Sequence, residues 1–262
     1  MILFRHELKR DWKSLVIWSC VIGGMTMLCL MLFPQLSQEA DSVDAMMNSL
    51  GSFGAAFGMD RLHYGSIMGF YGIYGGCMIG IGGMFYSALL GTGMLAKEEK
   101  EHTAEFLFTH PVSRTWIFIW KWIAMLAQVL VLNAIILGFS LVSFAIIQET
   151  PQWKELWLFH LAQLLMQIEL LGICYGISSF LRKGSLSIGI SIATLLYFLG
   201  IFGNIAEQGD FVKYITPYAY ADAAAIFSNG TLDMPLVLLG LGYGIAGLCL
   251  GYWRLMRKDI LG

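Results

Sequence analysis

The sequence carries very little charge for its length. Only 13% of its 262 residues are Asp, Glu, Lys or Arg, whereas soluble proteins carry about 25%. The hydrophobic fraction is 57%, more apolar surface than one water-soluble domain can bury in its core. The net charge of −2 offers nucleic acid no basic surface. We therefore expect an integral membrane protein that contacts membrane lipid and has no nucleic-acid partner.

Other absences exclude common kinds of chemistry. The five cysteines form no CxxC pair and the five histidines show no ligand spacing, so we predict no metal site. No GxxxxGK[ST] phosphate loop occurs, and this chain therefore cannot cradle ATP in that way. The HExxH and GxSxG motifs of hydrolases are missing as well. We expect no catalytic residues and no enzymatic activity on this chain.

Long apolar runs are the main feature that is present. About 20 helical residues cross the roughly 30 Å of hydrocarbon in a bilayer. The fold class we predict is an all-α integral membrane protein with six transmembrane helices in a single domain, residues 1–262. The predicted spans are residues 15–33, 66–95, 117–147, 157–181, 185–205 and 234–253.

The basic residues predict the orientation of these spans, because Lys and Arg accumulate on the cytoplasmic side. Arg61, Lys154 and Lys213 fall on one side of the predicted topology, and the other 13 of the 16 basic residues fall on the opposite side. The second side includes both termini, so both are predicted to be cytoplasmic in a bacterial plasma membrane.

Three segments are predicted to be neither spans nor simple turns. Residues 42–58 repeat apolar side chains at helical spacing, and we expect them to form a short interfacial helix on the outer side. Residues 2–14 mix apolar side chains with Arg5, Lys9, Arg10 and Lys13, a pattern typical of an interfacial amphipathic helix. Residues 206–233 are apolar but interrupted by Pro217. We expect residues 206–233 to form an outer re-entrant hairpin before the last span.

Glycines recur every three or four residues in two of the spans. Small residues at this spacing allow helix backbones to approach closely in lipid. We favour helix packing within one bundle, with a transport pathway or a subunit interface as the alternative. The glycines concerned are Gly72, Gly76, Gly80 and Gly83 in the second span, and Gly240, Gly244 and Gly247 in the sixth.

Glu169 is the one ionisable residue that the predicted topology places deep in a span. Charge at the bilayer centre costs around 3 kcal/mol on insertion scales, so we expect Glu169 to face protein. Hydrogen bonding to Gln128 or Asn133 of the third span is one interpretation. A role in the substrate pathway or in gating is the other.

The connection between the second and third spans carries the most specific pattern. Residues 97–109 are predicted to form a short helix, since Pro111 enforces a break and Ser113 is suited to cap the third span. Phe106, Leu107 and Phe108 add an apolar cluster beside acidic residues. A merely solvated loop, the alternative, needs no such cluster.

This connection resembles the first cytoplasmic loop of type-2 ABC transporter permeases. One departure is His102, where that family commonly has glycine. The rest of the chain is similar in its surface helix, its six spans and its proline-containing outer hairpin. The matching residues are Glu98, Glu101, Thr103, Glu105, Phe106, Leu107, Pro111, Val112, Ser113, Arg114 and Lys121.

The resemblance implies a function. Such permeases dimerise, and each binds a cytosolic ATP-binding-cassette subunit through this loop, the coupling helix. ATP and Mg²⁺ would then be held by the partner, with no cofactor on this chain, and ATP hydrolysis would drive export. The coupling residues implied are Glu98, Glu101, Thr103, Glu105, Phe106, Leu107, Phe108, Pro111 and Arg114.

Two other functions are compatible with parts of the sequence. A secondary transporter driven by an ion gradient typically has inverted repeats and several intramembrane charges, whereas only Glu169 qualifies here. A membrane scaffold without transport activity is the third possibility. Both a homodimer and a heterodimer of permeases are compatible with the sequence, as are several classes of substrate.

Overall fold

A computed structural model describes residues 2–49, 51–56, 58–59, 61–100, 113–181, 186–205 and 209–257. Helices are the only regular elements in these ranges. Six of them are long. They are α1 (Ile2–Met31), α2 (Ile67–Lys100), α3 (Arg114–Ile147), α4 (Trp153–Ser178), α5 (Leu186–Ile205) and α6 (Met234–Arg257).

These long helices confirm the all-α fold and the six predicted spans. Each contains a window long and apolar enough to cross a membrane. The described helix α5, Leu186–Ile205, lies within the predicted span of residues 185–205. Apolar length sets these boundaries, because backbone polar groups inside hydrocarbon must be satisfied within the helix.

The N-terminal segment differs from its prediction. Residues 2–14 do not form a separate surface helix, since α1 runs without a break over 30 residues from Ile2 to Met31. At 1.5 Å per residue it is about 45 Å long, more than the roughly 30 Å of hydrocarbon. The physical reason for its continuity is the Glu7 side chain, which is buried against α2 and α3 and so aligns the first turns with the bundle.

Helices α2 and α4 form the centre of the bundle. At least half of the most apolar window of each is buried by protein, against a third or less for the other four long helices. Helix α4 packs against α2, α3 and α6, while α1 packs mainly on α3 and α5 on α2. We call the end at which α2 ends and α3 begins the loop end, and the opposite end the far end.

Short helices occupy the far end. Ala40–Ser49 and Ser52–Ala56 lie between α1 and α2, and Gly209–Tyr214, Pro217–Ala219 and Ala223–Asn229 lie between α5 and α6. The last of these begins at Asp222, whose carboxylate accepts a hydrogen bond from the Ala224 amide, and stops at Gly230, which has a φ of +61° that glycine tolerates. These segments pack on α2, α4 and α5. Their depth relative to a membrane stays a prediction.

Candidate functional site

Most of the predicted coupling residues lie outside the described part of the chain. These are Glu101, Thr103, Glu105, Phe106, Leu107, Phe108 and Pro111, within residues 101–112. The predicted start of the loop helix at residue 97 was wrong, because the backbone of residues 97–100, which include Glu98, continues α2. The structure therefore describes the two flanks of the loop, which include Ser113 and Arg114.

The flank at the start of α3 is attached to the end of α6. Ser113 caps α3, as predicted, because its hydroxyl accepts a hydrogen bond from the Trp116 amide at 3.3 Å. Arg114 Nη1 donates to the backbone oxygen of Leu255 at 3.1 Å, in the last turn of α6. Helix C-termini expose unpaired carbonyl groups and favour cations, so the guanidinium joins the two helices.

A buried ion cluster joins the same end of the bundle to α1. Glu7 and Lys121 are both 0% exposed, and their Oε1 and Nζ atoms are 2.5 Å apart. Lys97 near the end of α2 lies 3.1 Å from Glu7 and 3.0 Å from Asp11, and Arg10 lies 2.6 Å from Glu7. Because buried charges are costly unless paired, this cluster fixes α1, α2 and α3 together beside the loop.

The role of Glu7 was not among the predictions from the sequence. The available signal was the acidic pair Glu7 and Asp11, four residues apart and therefore on one face of a helix, within an otherwise basic segment. That spacing indicates a face that meets cations. The partner helices, however, lie far away in the sequence.

The interior between α2, α3 and α4 is polar. Tyr71 Oη lies 2.9 Å from Ser140 Oγ and 2.8 Å from His160 Nε2. Nearer the loop end, Asn133 Nδ2 donates to Gln167 Oε1 at 2.7 Å. Tyr86 also donates to Gln128 Oε1 at 3.1 Å. Gln128 and Asn133, predicted as intramembrane polar residues, are thus buried between helices.

Several atoms of this interior have no hydrogen-bond partner among the described residues. Such buried groups are costly, and polar side chains inside a membrane commonly mark a functional path. They therefore give this region a capacity to bind water or a polar ligand. The atoms are Ser87 Oγ, Gln128 Nε2, Asn133 Oδ1, His160 Nδ1, Gln163 Oε1 and Gln167 Nε2.

Glu169 has a different partner from the two considered in the sequence analysis. Tyr220, in the segment before α6, donates to Glu169 Oε2 at 2.8 Å. Gln128 and Asn133 bind other residues. A methyl group on Gly240 would overlap the Glu169 carboxylate, so this glycine makes room for the side chain. Glu169 therefore faces protein, as predicted, and links α4 to the far-end segment.

The glycine stripes face neighbouring helices. A methyl group on Gly172 would lie 2.7 Å from the backbone oxygen of Gly244, and one on Gly176 would overlap that of Gly247. On α2, Gly83 lies against Gln167, and Gly80 would place a methyl group 3.5 Å from Gln163 Oε1. Close backbone approach is the role of such residues in lipid. The α2 glycines also leave room for the side-chain amides of Gln163 and Gln167 on α4.

Gly72 and Gly76 face a cavity at the far end. This space, of about 290 Å³, lies between α2, α4, α5 and the segment 213–225. Its wall includes the buried side chain of Gln163 and the partly exposed side chains of Arg61 and Asp222. It is separate from the ion cluster at the loop end.

Nearly the whole chain matches one protein family. The family model described as ABC-2 family transporter protein matches residues 1–260. The chain belongs to this family. No curated protein sequence matches it significantly.

Family membership and the six apolar helices make the chain a multi-pass membrane protein, the permease component of an ABC transporter. An ABC-2 permease is a transmembrane component and not itself the ATPase. The family match covers both the loop flanks and the far-end cavity. It assigns no role to the ion cluster, to Glu169 or to the cavity.

Proposed function

We propose that this ABC-2 permease moves a substrate outward across a plasma membrane, driven by ATP hydrolysis on a separate cytosolic subunit. In this proposal the ATPase docks on residues 98–109, and ATP and Mg²⁺ are bound by the ATPase alone. Two permease subunits, identical or paralogous, form the membrane part. The loop end is then cytoplasmic, in agreement with the excess of Lys and Arg there.

Both flanks of the loop are attached to other helices, and this attachment supports the proposal. Lys97 ties the end of α2 to Glu7 and Asp11 of α1. Lys121 ties α3 to the same Glu7, and Arg114 ties it to the end of α6. A force applied to the loop is therefore passed to α1, α2, α3 and α6 together, as a motor on the loop requires.

The coupling residues have distinct roles in this proposal. Phe106, Leu107 and Phe108 provide the buried anchor, since interface energy concentrates in a few apolar residues. Glu101 and Glu105 lie four residues apart and meet basic groups at the rim, where charge governs orientation and the rate of encounter. Pro111 ends the loop helix, because proline disfavours helical backbone in the residue before it.

The test compares Leu107→Asp with a control at the opposite end, Phe211→Asp. Phe211 is 62% exposed at the far end, so the same change there leaves the loop intact. We expect the affinity-purified wild-type complex and the Phe211→Asp variant to retain ATP hydrolysis. The Leu107→Asp variant should lose both the second subunit and ATP hydrolysis, because burying an unpaired carboxylate in an apolar interface is costly.

The purified chain without its partner is the second control. It should hydrolyse no ATP above background. Hydrolysis by the isolated chain would contradict the separate ATPase. Full hydrolysis and export in a Leu107→Asp complex would contradict docking through this loop.

A further inference from the structure

The far-end cavity has room for a small molecule within one subunit. Its volume is about 290 Å³, whereas an apolar cavity of roughly 150 Å³ already holds one benzene molecule. A methyl group on Gly76 would lie 3.6 Å from Ala223, and one on Gly203 would lie 3.6 Å from Val212. A longer side chain at either glycine would therefore take up the space, which suits a molecule of about two fused rings.

The wall of the cavity is mainly small and apolar. It includes Ile73, Ile201 and Ala224, which offer hydrocarbon contact. Two aromatic rings, those of Tyr197 and Tyr218, also line it and meet edge to face with their centroids 5.4 Å apart. Aromatic rings pack favourably on one another at such distances, so this wall suits an aromatic body.

One buried group of the wall lacks a partner. Gln163 lines the cavity and is 2% exposed. Its Nε2 donates to the Ala221 backbone oxygen at 3.2 Å, but its Oε1 accepts no hydrogen bond from the described residues. A buried acceptor left in this state is costly, and a ligand that donates a hydrogen bond to it removes the cost.

Donors elsewhere on the wall are already in use. The Thr216 hydroxyl donates to the Leu196 backbone oxygen at 2.8 Å, and the Tyr218 hydroxyl donates to that of Gly80 at 3.3 Å. A bound molecule therefore has to match the acceptor on Gln163 with a donor of its own. Sites built around such a hydrogen bond discriminate strongly against analogues that lack the matching group.

We infer that this cavity binds a small aromatic molecule whose N–H or hydroxyl group donates a hydrogen bond to Gln163 Oε1. The ring body lies along the glycine and alanine wall beside Tyr197 and Tyr218. This site deepens the proposed function by naming a class of cargo, and rests on it for one point, that the bound molecule is cargo. Binding itself requires no ATPase and no charged side chain.

Equilibrium binding of tritiated indole to the purified full-length chain tests the site. Benzofuran is the matched competitor, because it has the same two-ring shape with an oxygen in place of the N–H group and so lacks the donor. We expect saturable binding of indole. Benzofuran should displace it with about three- to tenfold weaker affinity, the effect of one hydrogen bond.

Three variants locate the probe. Gln163→Met keeps the length of the side chain and removes the acceptor, so it should bind indole and benzofuran equally. A merely structural effect would weaken both probes and keep their ratio. Gly76→Leu fills the space and should abolish binding of both. Gly138→Leu is the matched control, since a methyl group there meets no described atom within 4 Å, and it should bind like the wild type.

Cys77 gives an independent readout because it lines the cavity. With the other four cysteines replaced, saturating indole should slow the alkylation of Cys77 by N-ethylmaleimide. Benzofuran at the same concentration should slow it less. If Gly76→Leu does not fold, Gly203→Leu replaces it.

Absence of saturable binding, an unchanged probe ratio in Gln163→Met, binding retained in the filled cavity, or unprotected Cys77 would each overturn the inference. These outcomes differ from failure of the proposed function. A chain that binds indole but never purifies with ATP hydrolysis contradicts only the ATP-driven mechanism. An active complex without indole binding contradicts only the site.

Discussion

The two ends of the bundle are stabilised by different interactions. At the loop end, α1, α2 and α3 share the buried Glu7–Lys121 pair, and nearby α4 and α6 touch through the backbones of Gly176 and Gly247. At the far end, the helices separate around a cavity of about 290 Å³. Glycines occur at both ends, but they bring helices into contact at the loop end and leave space between them at the far end.

The difference shows how one bundle can contain a closely packed part and an open part. Glycine against glycine removes all space between two helices, as on α4 and α6. Glycine opposite a longer side chain or a gap leaves room, as at Gly76 and Gly83. A firm attachment at the loop end suits the transmission of force, and free volume at the far end suits a ligand.

The largest effect is expected from breaking the ion cluster. Glu7→Leu leaves Lys121 buried beside other cations, and loss of one partner of a buried pair costs about 3–5 kcal/mol. We expect a clear fall in the melting temperature of the purified protein, which can be measured by tryptophan fluorescence.

The double variant Glu7→Leu with Lys121→Met should recover much of this loss, since no buried charge of that pair remains. Lys154→Met, an exposed lysine at the far end, is the control and should change stability by about 0.5 kcal/mol at most. Equal melting temperatures for Glu7→Leu and the wild type would show that the cluster contributes little.

Two glycines, Gly176 near the loop end and Gly76 at the far end, allow the packing of the two ends to be compared directly. Gly176→Ala places a methyl group against the backbone oxygen of Gly247, and should cost about 1–3 kcal/mol as overpacking does. Gly76→Ala places the same group 3.6 Å from Ala223, an ordinary contact. We expect it to change stability by less than about 0.5 kcal/mol.

Chemical denaturation of both variants in the same detergent measures the difference. Gly242→Ala serves as a second control, because a methyl group there meets no described atom within 4 Å. Equal losses for Gly176→Ala and Gly76→Ala would mean that the two ends are packed alike.

The smallest effect concerns the link between α4 and the far-end segment. Tyr220→Phe removes the hydroxyl that donates to Glu169 at 2.8 Å, and should cost about 1 kcal/mol. Glu169→Gln keeps an oxygen that accepts from Tyr220, so folding and most export should persist. Abolished export in a well-folded Glu169→Gln variant would instead indicate a role for the negative charge.

The sequence predicted the helices more accurately than it predicted the contacts between their side chains. Six apolar runs marked the long helices, and Ser113 was identified as the cap of α3. The separate N-terminal helix was wrong, because the charge pattern of residues 2–14 does not reveal that Glu7 binds Lys121. The coupling residues from Glu101 to Pro111 stay a prediction from sequence.

The amino-acid pattern alone predicts the number of spans, their approximate ends and the glycine-rich faces. These depend on local composition, because each span must be apolar over the thickness of a bilayer and satisfy its own backbone. Which side chains bind each other across the bundle is visible only in the folded structure. Lys121 and Glu7 are 114 residues apart, and Tyr220 and Glu169 are 51 residues apart. Which side chains meet over such separations depends on how each helix is rotated and packed against the others, and local periodicity does not encode that.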